Sequence, residues 1–366
     1  MPLTWIEINQ KNILHNIRQF RNLAPNSEFW PVVKSNAYGH GSKEIVSFLK
    51  DNEDVAGFMV ANLDEALAIK NITKKPIMVL SYFDIDDTEA LKKVDSQISL
   101  PIYDLATADY LESLGQDFLV NIKIDTGTSR LGFKLSEAKD SIAQIEQKSN
   151  LKIFSIFTHY AESEVADQSF TKEQLNSFQN ITREYKKYKF HSACSAASIT
   201  LPEAQGDIIR VGLAFYGLWP SQSTKEKAEL KNFSLQAVMS WKTKIIQIKK
   251  LKSGDSIGYN RTYQCPKDCQ IAVLPIGYNE GYPRLLSNNA EVLIQGHLCP
   301  IRGNICMNLT MVELPDNLDV KVGEIVTLLG SDDGKNISAD DIANKCQSIN
   351  YEIVTRINPN LERRLV

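Results

Sequence analysis

The chain has 366 residues, 43% of them apolar and 23% charged, with a formal charge of −3. Acids and bases are interspersed, so composition gives no electrostatic case for a nucleic-acid surface or an anionic membrane and leaves a small polar substrate as the expected partner. The amino terminus, MPLTWIEINQKNILHN, lacks a basic n-region and an apolar h-region, and no apolar run reaches transmembrane length, so a cytoplasmic location is expected. Six cysteines fall between positions 194 and 346 and are expected as free thiols. Cys265 and Cys269 of CPKDC, with Cys299 and Cys306 beyond, lack the close C-x2-C pairs of structural zinc sites, so no metal is expected.

From Glu28 to about Leu218, short apolar runs alternate with helical patterns. The runs are FWPVVK, VAGFMVA, PIMVLS, ISLPIYD, FLVNIKID, IFSIFTHYA, FHSACS and DIIRVGLAFYG. Between them lie segments such as SKEIVSFLKDN, NLDEALAIKN, LSEAKDSIAQIEQK and TKEQLNSFQNITREYKKY, most with apolar residues three and four apart. Eight alternations predict an α/β fold, a (β/α)8 TIM-type barrel, over residues 1–230. A doubly wound open sheet is the alternative, but no G-x-G-x-x-G follows the first strand. Near Ser234 the pattern changes to longer β-type runs, including AVMSWKTKIIQIKKL, QIAVLPIGY and EIVTLLG. Residues 231–366 are therefore expected as a mostly β carboxy-terminal domain, with the first residues of the chain free to pack on it. One short helix is expected there, with Ser338 as N-cap in SADDIANKC.

Lys34, in FWPVVKSNAYGHG, follows an apolar run that reads as a buried strand. Lost hydration at a strand end favours the neutral amine and suits it to condense with an aldehyde such as that of pyridoxal phosphate, although a lysine snorkelling to the surface fits the same position. Other reactive types fall at the carboxyl ends of later runs: Lys123, Asp125 and Arg130 in KIDTGTSRLGF, His159 in FTHYA, Ser195 in HSACSAAS, and Arg210 and Gly212 in IIRVGLAFYGL. Each has a structural reading of its own: a surface ion pair for Arg130, satisfied interior histidines for His159 and His191, a helix cap for Ser195, a turn for Gly212. Convergence on one barrel rim favours the chemical reading. Ser195 and the bare backbone at Gly212 suit a phosphate. Arg210, facing a pyridine nitrogen, would donate a hydrogen bond without surrendering a proton, which favours proton return at Cα over transamination. Tyr259 in SIGYNRTYQ is polar-flanked and exposed, placed as either a rim tyrosine or a phenol acting at another subunit's barrel.

With these residues in hand, the whole chain resembles the alanine racemases, fold-type III pyridoxal-phosphate enzymes. The resemblance is carried by VVKSNAYGHG, KIDTGTSRLGF, FTHYA, IIRVGLAFYGL, SIGYNRTY, LPIGYNEGYPR, GNICMN and INYEI. It implies that Lys34 holds pyridoxal 5'-phosphate covalently and is one acid/base, serving D-alanine, while Tyr259 from the partner subunit of a homodimer serves L-alanine. It implies that Arg210 meets the pyridine nitrogen and is oriented by His159, and that Tyr38, Ser195, Gly212, Leu213 and Tyr351 lie on the phosphate side. Arg130 would position the cofactor phenolate oxygen and the substrate carboxylate, Met307 would offer that carboxylate a backbone amide, and Tyr278 would line the entrance. Lys123 matches a position that can be carbamylated to fix Arg130.

The chain departs from the family pattern at Cys194, where asparagine is common, at Asn304, where an entrance arginine is common, and at Asn308, where aspartate is usual. The resemblance implies a racemase supplying D-alanine for peptidoglycan. Alternatives are a broader racemase acting on serine, a decarboxylase, which Arg210 disfavours, and a non-catalytic pyridoxal-phosphate-binding protein, which the β domain with Tyr259 disfavours.

Overall fold

The eight apolar runs become parallel strands, numbered here in chain order: β1 Glu28–Pro31, β2 Phe58–Asn62, β3 Ile77–Tyr82, β4 Ile98–Ile102, β5 Phe118–Asp125, β6 Leu151–Phe157, β7 Lys189–His191 and β8 Ile208–Val211. The structure is a computed structural model that describes residues 2–366. Ladders join β2 through β7 in sequence order, and β8 pairs in parallel with β1, Ile208 opposite Glu28 and Val211 opposite Pro31. Two seams are closed by isolated backbone bonds. At the first, Val33 N donates to Met59 O (2.7 Å) and Ala56 N to Phe29 O (3.1 Å). At the second, Asp207 N donates to Phe190 O (2.9 Å) and Arg210 N to Ala193 O (3.0 Å). The ring is therefore complete, a (β/α)8 barrel with no sheet edge left between its strands.

Polar residues just before the helices start them. Asn62, Asp87, Asp104 and Ser221 accept from the amides of Glu65, Ala90, Thr107 and Thr224, satisfying a donor that the helix itself leaves open. Helical periodicity sets the buried stripe, as in the helix Ala138–Glu146, which turns Ala138, Ser141, Ile142 and Ile145 inward. The DIIRVGLAFYG run is strand only to Val211; Leu213–Tyr216 is a 3-10 turn.

The chain divides into two compact units, one of Asn12–Ala37 and Ser42–Gln236, which holds the barrel, the other of the amino-terminal segment through Lys11, Tyr38–Gly41 and Ala237–Val366. In the second, Met239–Lys244 lies between Thr4–Ile8 and Ile325–Asp332, antiparallel to both, and Thr4–Ile8 pairs in parallel with Glu362–Leu365. The long run AVMSWKTKIIQIKKL is two strands in different sheets. Ile245 N bonds Glu324 O (3.0 Å) while Ile246 N bonds Val273 O (2.9 Å), so the chain changes sheet between consecutive residues, and Gln247–Leu251 then pairs with Cys269–Leu274. Ser338 caps Ala339–Lys345 in a reciprocal capping box with Asp341. A further helix, Asn350–Thr355, carries no start signal in the sequence, because Ile349 at its N-cap offers no side-chain acceptor. Among the described residues no helix is long and apolar enough to cross a membrane, and no group of three His, Cys, Asp or Glu side chains converges as a metal site.

Barrel packing is tight where β1 meets the chain entering β2. Trp30 is buried, and a Cβ added at Gly57 would lie 2.5–2.7 Å from three of its ring carbons. Gly57→Ala is expected to destabilise the barrel by about 1–3 kcal/mol through overpacking, read by denaturant titration; unchanged stability would show that the ring can move aside.

Candidate active site

Lys34 follows the last rung between β1 and β2, and directly after it the chain turns left-handed. Ser35, Asn36, Ala37 and Tyr38 all have φ of 52–54°, and Ala37 N closes the turn on Val33 O at 2.9 Å. Left-handed backbone costs L-residues roughly 1–2 kcal/mol each, so neighbouring groups must stabilise it. Glu65 Oε1 accepts from Ser35 N (2.7 Å), its Oε2 accepts from Ala61 N (2.7 Å), and Asn36 Oδ1 accepts from Ser42 N (3.0 Å). One carboxylate bond reaches the left-handed residues, at Ser35 N, and such a bond is worth about 1.5–3 kcal/mol, so it offsets part of that cost. The sequence suggests only a turn here; Glu65, thirty residues on, has no visible connection to it.

Cations gather on this rim. Burial lowers the Lys34 amine below its ordinary pKa, Arg130 lowers it further, and Glu65 opposes them. Lys123, buried at the end of β5, is pushed down to about 8 by burial and then by Arg130 and Arg210, against the pull of Asp125. Desolvation, then Arg210, Arg130, Lys123 and Lys34, hold His159 well below its ordinary value and so neutral. Asp125 spends one carboxylate oxygen on the amides of Gly127, Thr128 and Ser129 (2.9, 2.9 and 3.2 Å), folding the loop that carries Arg130. The surplus of positive charge suits an anionic ligand.

Arg210, on β8 and buried, is held from several sides. Its Nη1 is 2.7 Å from His191 Nδ1, and its Nη2 donates to Thr158 O (2.7 Å) and Ser192 O (2.8 Å), with His159 Nδ1 at 3.4 Å. A guanidinium only donates, so His191 Nδ1 must accept and Nε2 must carry the proton. That proton goes to Ser155 Oγ (2.9 Å), whose hydroxyl donates to Asn121 Oδ1 (2.7 Å). The Asn121 amide is thereby oriented, leaving its Nδ2 buried without a partner. Phe157 stacks on His191 with centroids 5.0 Å apart and presents its ring to Arg210 Cζ at 5.8 Å and Lys123 Nζ at 5.6 Å. The resemblance points to His159 as the residue orienting Arg210; the shorter contact is to His191, which the sequence offers only as an interior histidine.

Ser195 begins the helix Ser195–Thr200, and its Oγ accepts from the amides of Gly212 (3.0 Å) and Ala214 (3.4 Å), on either side of Leu213. A hydroxyl and loop amides thus meet at the ends of β7 and β8. Cys194 contacts Ser163 Oγ through its thiol at 3.1 Å.

In the other unit, the rings of Tyr38 and Tyr351 lie 6.3 Å apart. Tyr259 opens a 3-10 turn after Gly258 and is 70% exposed; Asn304 Nδ2 donates to its carbonyl (3.0 Å). Tyr278 and Met307, both exposed, sit on loops joined by Tyr278 N to Cys306 O (3.2 Å) and Asn279 N to Met307 O (3.0 Å). The loops approach so closely that a Cβ at Gly277 would fall 2.1 Å from Cys306 O. Glu280 accepts from Gly277 N (2.8 Å) and from Asn308 Nδ2 (2.8 Å), so an amide at 308 serves as donor where a second carboxylate would repel.

Residues 8–220 match the family model described as the alanine racemase N-terminal domain, and residues 238–365 match the alanine racemase C-terminal domain. The chain is 35% identical over 362 residues to an alanine racemase of Clostridium kluyveri, covering 96% of this chain and 91% of the relative. It is 36% identical to an alanine racemase of Carboxydothermus hydrogenoformans, covering 99% of each. The solved alanine racemase of Clostridium difficile 630 superposes with a TM-score of 0.92 at 30% identity, covering 99% of this chain and 95% of that one.

The buried Lys123 amine has a proton-linkage signature. Its folded pKa near 8 lies below the ordinary 10.5, so between these values the unfolded chain binds more protons and stability rises with pH. Lys123→Met is expected to exceed the parent in stability below pH 8, by on the order of 3 kcal/mol, with the margin shrinking as pH climbs from about 8 towards 10.5. Denaturant titrations across that window check it; a margin independent of pH would show that Lys123 is not desolvated.

Proposed function

The chain belongs to the alanine racemase family, and we propose that it interconverts L-alanine and D-alanine with pyridoxal 5'-phosphate as cofactor. The observation that carries the reading is the Lys34 amine, half-buried and shifted towards its neutral form at a rim where Arg130, Lys123 and Arg210 leave positive charge in excess. The donor set fits the cofactor: a nucleophilic amine for its aldehyde, cations and amides for its phosphate and phenolate, and a guanidinium for its ring nitrogen. When bound, pyridoxal 5'-phosphate supplies the aldehyde for covalent attachment and an electron sink that acidifies the substrate Cα–H.

The chain's own residues then move and hold protons. Lys34 removes the Cα proton on the face used by D-alanine as the neutral amine and returns a proton there as the ammonium it thereby becomes. The Tyr259 phenol, contributed by the partner subunit of a homodimer, does the same on the face used by L-alanine, and the exposure of Tyr259, Tyr278 and Met307 supports that assembly. Arg210, buried and pinned by His191, Thr158 and Ser192, donates a hydrogen bond and keeps its proton, which limits charge delocalisation and favours reprotonation at Cα. Tyr38, Ser195, Gly212, Leu213 and Tyr351 receive the phosphate. Arg130 holds the substrate carboxylate together with the Met307 amide, and Tyr278 lines the entrance. Lys123, with an amine near pKa 8, is suited to carbamylation, and the resulting anion would hold Arg130. The product would supply D-alanine for peptidoglycan in the cytoplasm.

Chiral chromatography after incubating the cofactor-loaded protein separately with L-alanine and L-serine tests the reading. D-alanine is expected to form far faster than D-serine; equal rates would indicate a broad-specificity racemase, and no D-product would refute racemisation. Tyr259→Phe is expected to retain the cofactor and slow proton removal from L-alanine by about 10²–10⁴-fold. Parental rates in both directions would remove Tyr259 from the mechanism.

A further inference from the structure

We infer that Glu65 is a positioning residue for Lys34, its carboxylate acting as an extra rung that joins the chain leaving β1 to the last residues of β2. The last backbone rung of this seam is Val33 N to Met59 O. Beyond it the strands separate, and the two carboxylate oxygens of Glu65 take the next amides on either side, Ser35 N and Ala61 N, each at 2.7 Å. Glu65 is itself seated at the start of its helix, where its own amide donates to Asn62 Oδ1 at 2.9 Å. The rung therefore links the residue immediately after Lys34 to a capped helix, and it holds the first of the left-handed residues that give the lysine its direction. A side-chain cap on a remote turn would not need both oxygens on two separate segments, one past the end of β1 and one within β2.

Charge adds a second effect of the same carboxylate. Among the charged and titratable groups that bear on Lys34 are Arg130, Glu65, Lys123 and His159, of which Glu65 is an anion. It counters the cations, keeping the amine from losing its proton too readily to act as an acid as well as a base.

The inference rests on the proposed role of Lys34, and the test keeps the two apart. In the full-length chain freed of cofactor, pH-dependent acetylation of Lys34, read by peptide mass spectrometry, reports the amine titration, and hydrogen exchange reports the Ser35 amide. In Glu65→Gln the amide side chain can accept from only one of the two backbone donors and carries no charge. The labelling midpoint of Lys34 is expected to move to lower pH by at least about half a unit, and the Ser35 amide to exchange at least roughly tenfold faster. A lower melting temperature with both readouts unchanged would overturn the inference and leave Glu65 a purely structural cap. If Glu65→Gln alone fails to fold, Glu65→Gln with Ser35→Gly, which relieves the left-handed backbone, is expected to show the same midpoint shift, and an unshifted midpoint there would equally overturn it. Borohydride trapping of the loaded parent at a lysine other than Lys34 would instead refute the cofactor role while leaving the midpoint shift intact.

Discussion

Closure of the barrel between its eighth and first strands is the constraint on which the site depends. The parallel register that sets Arg210 opposite Trp30 and Val211 opposite Pro31 brings the exits of β8 and β1 to one rim. Lys34 and Arg210, far apart in the chain, are thereby placed on the same end of the barrel with Lys123 from β5 and His159 beyond β6. Parallel strands send all their carboxyl ends in one direction, so a ring of them concentrates loop residues at a single face. The seams on either side of that face are short, and side chains help complete them.

Desolvation then converts proximity into chemistry. Arg130, Arg210 and Lys34 all depress the proton affinity of Lys123, and Lys34 and His159 are shifted in the direction of their neutral forms. The arrangement is unfavourable for an isolated protein, which ordinarily pairs its buried charges. It becomes favourable when an anionic ligand completes the balance, and this is the physical sense in which the rim is preorganised. Burial lowers the proton affinity of Arg210 too, to about 10, which leaves it a cation, and His191, Ser155 and Asn121 form a buried relay beside it whose proton positions follow from a guanidinium that can only donate.

Backbone strain is concentrated at one point of the same rim. Four consecutive left-handed residues after Lys34 are held by carboxylate and amide side chains rather than by favourable intrinsic geometry. Strain of this kind persists only where its surroundings over-determine the conformation, and it recurs at sites that bind or react.

The periodicity of apolar residues was enough to reveal the eight barrel strands, because a strand buried on both faces must be a short apolar run wherever it occurs. Residue chemistry at the ends of those runs likewise marked Lys34, Lys123, Arg130, His159, Ser195 and Arg210 as neighbours on one rim. The change to β-type runs near Ser234 and the cap at Ser338 were legible for the same local reasons. Local pattern could not reveal that the run through Ile245 and Ile246 divides between two sheets, since each residue's partner lies in a distant segment. Nor could it connect Glu65 with Ser35 or His191 with Arg210, because a hydrogen bond between remote residues leaves no periodic trace in the chain. Composition and period determined which elements form and which residues stand at their ends; only the tertiary fold decided which of those residues meet, because strand pairing and burial, not sequence spacing, set the distances over which charges and hydrogen bonds act.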